Sequence, residues 1–191
     1  MGTVIAAITI PILIQNHKRQ EATDRLLKFY STVNQVILKA KADGNNWDYW
    51  AETASGNGDT SSETVSYFAE TYLLPYLVYH KYNTDNMFAY IYLNDGSSFS
   101  IMKGTCIDFV FDINGNRKPN IEGRDKFRYL YCPKFTSQWG RTDGEKLVPY
   151  KPVSITTREQ ALQKCRQDKA YCTALLSFDD WEFKADYPYN L

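Results

Sequence analysis

The sequence predicts an α+β fold. One long N-terminal helix packs on a mostly antiparallel sheet of about four strands, and short helices flank that sheet. Three observations carry the prediction. Apolar residues recur at steps of three and four from Ala22 to Ala40, the period of a helix with one buried face. Between Phe88 and Cys132 the pattern becomes alternating and rich in aromatic and β-branched residues, as half-buried strands require. The 191-residue length suffices for one domain with a sizeable core. Two segments are expected: residues 1–20 as a hydrophobic helical extension, and residues 21–191 as a globular domain whose helix 21–43 packs on the sheet.

The helix is read from Thr3 to Ala42. Its first part is the apolar run from Thr3 to Ile14, followed by Gln15-Asn16-His17-Lys18-Arg19. Ala22, Leu26, Phe29/Tyr30, Val33, Val36/Ile37 and Ala40 then form one stripe, with Asp24, Arg25, Lys28, Ser31 and Lys39 off it. The turn residues Asp43-Gly44-Asn45-Asn46 end the pattern. A helix of this size runs roughly 60 Å at ~1.5 Å per residue, far more than a small domain needs. Its front must project into something other than its own core. Thr3–Ile14 alone covers about 18 Å, short of the ~30 Å of a bilayer core. Pro11 removes a backbone donor and is expected to kink or loosen the helix.

Trp47–Gly58 reads as a loop. A second helix is expected over 62–80: Thr60-Ser61-Ser62-Glu63 has capping-box spacing, Val65, Phe68, Ala69, Tyr72 and Leu73 share a face, and Pro75 ends or kinks it. Phe88–Leu93, a turn at Asn94-Asp95-Gly96 and Ser97–Lys103 make a hairpin signal. Two more strands follow, Thr105–Asp112 and Lys126–Cys132. Ile107, Phe109 and Phe111 share one face, as do Phe127, Tyr129 and Tyr131. Pairing Asp112 with Lys126 sets 109 opposite 129, 107 opposite 131 and Cys106 opposite Cys132, so aromatic meets aromatic and acid meets base. Residues 135–152 read as an exposed loop or irregular arm. A last helix is expected over 157–176, from Thr156-Thr157-Arg158-Glu159.

Both ends of the chain carry a resemblance. Gly2–Pro11 followed by Leu13-Ile14-Gln15-Asn16 resembles the second half of the N-terminal helix of type IV pilins and type II secretion pseudopilins. Leu26–Gln35 and Trp181–Pro188 are similar to one bacterial branch of that family. The chain is expected to begin about a dozen residues inside the family's mature helix, because the basic leader, the Gly–aromatic processing junction and the early acidic residue of the family are not present in it. The resemblance implies a pilin-like fold and a structural subunit of a type IV pilus or type II secretion pseudopilus. It implies assembly through the hydrophobic helix, with Val4, Ile5, Ile8, Ile10, Pro11, Leu13 and Ile14 in the packing. It also implies prepilin processing and methylation, other pilin-like subunits, a prepilin peptidase and an assembly machine as partners. The location implied is the inner membrane, a transmembrane helix holding the globular domain outside the cytoplasm before assembly, and an extracellular or periplasmic filament afterwards. The rival expectation is a membrane-tethered extracytoplasmic binding module that does not polymerise.

Four cysteines, Cys106, Cys132, Cys165 and Cys172, allow three connectivities. Cys106–Cys132 with Cys165–Cys172 is preferred, and a C-terminal disulfide loop is what the resemblance implies. The alternative is four free, buried thiols. The 165–172 pair carries a condition: on an unbroken helix residues seven apart lie roughly 10 Å apart, beyond the about 7 Å a disulfide spans. The helix must therefore break around Gln167-Asp168-Lys169. Disulfides place the body outside the cytoplasm.

Asp112, Asn114 and Asn116 sit at the 1-3-5 spacing of calcium loops, and Asp125 closes the same stretch. Position 6 of an EF-hand pattern is Arg117 and position 12 is Gly123, so the rest of that pattern fails, and a structural inter-strand loop is the competing reading. Calcium is the one cofactor considered. Lys+Arg and Asp+Glu balance at 22 each, so charge points to no nucleic-acid partner. The chain has two histidines, His17 and His80, and neither belongs to a nucleophile or metalloprotease motif. No enzyme activity is expected.

Overall fold

The structure, a computed structural model, describes residues 3–47, 62–103, 106–132 and 146–191; the side chains of residues 3–11 and 62 lie outside that description. The expected loop beyond Trp47, the capping residues Thr60 and Ser61, and most of the 135–152 arm fall outside the described residues.

Helix α1 spans Thr3–Ala42, as the periodicity demands. The stripe is its buried face: Ala22, Leu26, Phe29, Val33, Val36, Ile37 and Ala40 are all at most 2% exposed. The helix continues through Pro11, so the backbone donor that proline lacks does not end it. Gly44, at φ +81°, stops the helix, with Asn45 donating back to the Ala40 carbonyl.

Helix α2, Ser62–Phe68, passes into a π turn, Ala69–Leu73, and a 3-10 turn, Leu74–Tyr76, that contains Pro75. Leu77 is already extended. The second helix is thus shorter and less regular than 62–80.

Among the described residues, six antiparallel strands follow in simple meander order: β1 Lys81–Asp85, β2 Phe88–Tyr92, β3 Ser98–Lys103, β4 Ile107–Asp112, β5 Lys126–Tyr131 and β6 Val148–Pro149. The expected count of about four is corrected upward at both edges. β1 is polar and largely exposed, so it lacks an apolar alternation to read; β6 is two residues long. Polar or very short edge strands discourage edge-to-edge pairing between molecules. The inner strands pair as expected: Asp112 faces Lys126, Phe109 faces Tyr129 and Ile107 faces Tyr131.

The inner face of the sheet meets α1 through rings. Phe29 stacks on Phe111 at 4.2 Å between centroids and tilts against Phe99 and Tyr129. Trp47, read as the start of a loop, is instead 1% exposed. It packs edge-on against Phe68 and Tyr131 and donates its indole N–H to the Tyr72 carbonyl at 2.9 Å. The described end of the 135–152 arm, 146–152, is anchored to the body at Leu147. Leu147 is fully buried, and its backbone N–H donates to the Asn34 side chain of α1 at 2.8 Å.

The C-terminal segment breaks where the disulfide condition requires. Helix α3, Arg158–Gln167, starts in a Thr157 capping box and ends at Asp168, whose backbone is extended. A 3-10 turn, Lys169–Tyr171, leads into α4, Cys172–Phe178. Cys165 and Cys172 are consequently 4.5 Å apart at Cα and bonded, as are Cys106 and Cys132 at 4.4 Å. Arg158 holds the end of this segment by pairing bidentately with both Asp179, which is 1% exposed, and Asp186. Those two carboxylates, Asp186's first, hold the Arg158 guanidinium pKa above its usual value.

Candidate functional site

Two regions of the chain carry features the core does not consume. The first is the front of α1. Among the described residues, the side-chain hydrogen bonds between α1 and the body begin at Gln15. Gln15 meets Asn190 at 3.2 Å, Arg19 donates to the Phe183 carbonyl, and the Thr23 hydroxyl donates to the Trp181 carbonyl at 2.8 Å. Ahead of these contacts Ile12, Leu13 and Ile14 are 53%, 66% and 53% exposed. Val4, Ile5, Ile8, Ile10 and Pro11 lie on the same helix, with side chains outside the described set. Among the described residues no helix is long and apolar enough to cross a membrane, which corrects the expectation of a transmembrane helix for this stretch of chain. The short apolar run turns polar at Gln15, before a spanning length is reached.

The second region is the loop between β4 and β5. Of the four expected ligand residues, the fold brings Asp112, Asn114 and Asp125 together, while Asn116 stands exposed outside the cluster. The carboxylates are 5% and 3% exposed, respectively, and each is supplied with donors. Asp125 accepts from the Asn114 amide at 3.2 Å and from the backbone N–H groups of Asn120 and Ile121. Asp112 accepts from the Asn114 backbone at 3.1 Å. With its amide nitrogen turned toward them, Asn120 donates to Asp112 Oδ2 at 2.8 Å and to the carbonyls of Gly115 and Arg117. Lys126 adds a longer charge contact at 3.9 Å. Burial pushes the Asp112 carboxyl up to about 6, the Asn114 hydrogen bond and Lys126 offsetting part of the effect. One acceptor is left over: the buried Asn114 Oδ1 has no partner. Among the described residues no group of three or more His, Cys, Asp or Glu side chains converges.

Between the two regions lies a feature that sequence reasoning missed. α1 and the loop enclose a cleft of about 340 Å³, lined among others by Lys18, Glu21, Arg25, Arg117, Lys118, Arg124 and Asp125. Its cations come from positions a hundred residues apart, so no local pattern announces them.

The fold and these regions define one class: a single α+β domain built on a helix that outruns it. Residues 12–191 match the family described as a family of unknown function (DUF6613), and the chain belongs to that family. No curated protein and no solved structure matches the chain.

Proposed function

We propose that this chain is a non-catalytic structural subunit that self-associates through the front of α1, as a pilin or pseudopilin does. The observation that carries the reading is the helix itself: forty residues long, gripped by the body from Gln15 onward, with three consecutive large apolar side chains exposed just ahead. Such a surface needs a nonpolar environment. Before assembly the inner membrane supplies it, with the disulfide-bonded body on the outer side. Afterwards the same side chains pack against copies of themselves, or against other pilin-like subunits, in a filament core. The exchange of lipid contacts for helix contacts is driven by an assembly machine, after processing by a prepilin peptidase.

The test is a charge placed in that surface. Ile8→Asp is expected to abolish recovery of the protein in sheared surface filaments, while the body keeps both disulfides and its unfolding midpoint. Normal filaments from the variant would remove the reading, and unprocessed protein confined to membranes would favour the tethered binding module.

A second reading concerns the 112–125 loop, and the unpartnered Asn114 Oδ1 favours it. Calcium entering there would take Asp112, Asn114 and Asp125 oxygens, with the Gly115 and Arg117 carbonyls now held by Asn120. A ligand at a hundredfold excess over its Kd stabilises by about 2.7 kcal/mol. Calcium, but not magnesium, is therefore expected to raise the melting temperature by several degrees, with Asp112→Asn cancelling the rise. No shift with calcium would leave the loop as a turn sealed by its own donors.

A further inference from the structure

The cleft between α1 and the β4–β5 loop is strongly cationic in a chain whose total charge is zero. Lys18, Arg25, Arg117, Lys118 and Arg124 face two side-chain carboxylates, Glu21 and Asp125, a surplus of three positive charges among the lining side chains. The carboxylates do not offset it evenly. Glu21 pairs with Arg25 at 3.0 Å, and Arg25 also donates to the carbonyls of Asp95 and Ile113. Asp125 is taken up by three donors within its own loop. Lys18, Arg117, Lys118 and Arg124 are left with no ion pair among the described residues. Four unpaired cations drawn from two elements around one concavity raise the local anion concentration, whatever the net charge of the molecule.

The cleft does not end there. A second cavity, of about 400 Å³, adjoins it at Lys18 and Leu191 and is lined also by Ile14, Gln15 and Asn190. Gln15 and Asn190 bond to each other, and the apolar part of the wall comes from the side chains of Ile14 and Leu191 and the aliphatic stem of Lys18. This end opens beside the exposed Ile12–Ile14 run. The groove is therefore cationic at one end and more apolar at the other, beside the point where the apolar run of α1 gives way to the body.

We propose that this groove holds one anionic phospholipid. Its headgroup phosphate would sit among Lys18, Arg117, Lys118 and Arg124, and its first methylenes over Ile14 and Leu191. The proposal rests on the reading that the front of α1 lies in a membrane, since that places the cations at headgroup depth. A free phosphate would use the cationic end alone and leave the apolar end unexplained.

The test titrates the full chain, in detergent micelles, with phosphatidylglycerol or phosphatidylcholine and follows it by native mass spectrometry. The expected result is a saturable one-to-one phosphatidylglycerol complex with no equivalent for phosphatidylcholine. Arg117→Gln with Lys118→Gln weakens that complex by roughly fivefold per removed charge, the increment expected of a cation at an anionic lipid surface. Lys39→Gln with Lys146→Gln, which removes the same charge elsewhere, leaves it intact. Equal loss in both double variants, or no loss in the first, overturns the proposal. Inorganic phosphate bound as tightly as the lipid, measured by calorimetry, also overturns it in favour of a free phosphate. Loss of the lipid complex leaves filament recovery from the Ile8→Asp experiment as a separate result, so the two readings fail independently.

Discussion

Tyr129 and Tyr187 are both buried tyrosines, and they differ in one respect that decides what their hydroxyls are worth. Tyr187 donates to the Gly123 carbonyl at 2.6 Å. The Tyr129 hydroxyl has no partner, although its ring sits in the centre of the core between Phe29, Tyr30 and Trp181. Burial pushes both phenol pKa values up, so both stay neutral at any ordinary pH. An unsatisfied buried hydroxyl costs desolvation with no return, whereas a paired one contributes about 1 kcal/mol. Tyr129→Phe is therefore expected to leave stability unchanged or raise it by up to about 1 kcal/mol, and Tyr187→Phe to lower it by about 1–2 kcal/mol. Urea denaturation of the two variants checks this; a loss in Tyr129→Phe equal to that in Tyr187→Phe would show that the first hydroxyl has a partner after all.

At the level of elements, α1 and the β4–β5 pair were legible because each is set by a single dominant period. The stripe from Ala22 to Ala40 admits one helix face, and one register satisfies Phe109–Tyr129, Asp112–Lys126 and Cys106–Cys132 together. The break at Asp168 was legible for another reason: bond geometry forbids a 165–172 disulfide on a straight helix. Elements defined by tertiary contact were not legible. β1 has no apolar alternation, β6 gains its place from the Arg128 carbonyl accepting the Tyr150 N–H, and Trp47 gives no period by itself. The β4–β5 loop shows the same limit. Asp112 and Asp125 could be picked out, but the Asn120 amide that ties Asp112 to Gly115 and Arg117 could not. The loop's fit is tightest where Gly115, at φ +67°, comes so close to the β2–β3 turn that an added Cβ would lie 2.6 Å from the Gly96 carbonyl oxygen. Gly96 itself, at φ +83°, has open space apart from Arg117 at 3.5 Å. Left-handed strain alone costs a non-glycine residue about 1–2 kcal/mol. Gly96→Ala should show about that loss, and Gly115→Ala should exceed it by a further ~1 kcal/mol or more because backbone must move. Equal losses in denaturant melts would mean the loop and the turn are not in contact.

The molecule as a whole has balanced charge, so its pH response is governed by individual buried groups rather than by net repulsion. Asp108, on the outer sheet face opposite Met102 and Leu130, is pushed up to about 6 by burial, with Arg128 offsetting part of the effect. Arg128 offers little more, because Glu122 and the Tyr150 ring already engage it. Asp112 moves the same way to about 6. For both groups the folded value exceeds the unfolded one, near 3.9, so the folded state binds more protons between pH 4 and 6. Stability therefore rises as pH falls from 7 toward 5. Asp95 has the opposite sign. Burial would raise its pKa, but hydrogen bonds from Lys28 and Ser97 bring it down to about 2, so its contribution is lost as pH drops below 4. The stability curve should rise by roughly 1 kcal/mol per raised carboxyl between pH 7 and 5, peak on the acid side of neutrality, and fall again below about pH 4. Asp108→Asn fixes that group in its neutral form and should remove a large part of the rise between pH 7 and 5, while leaving the acid limb in place. Chemical denaturation of both proteins across pH 3–8 reads the difference directly. A wild-type curve flat from 7 to 5, or an unchanged slope in Asp108→Asn, would mean that water reaches this carboxylate and that the outer sheet face is more open than its burial implies.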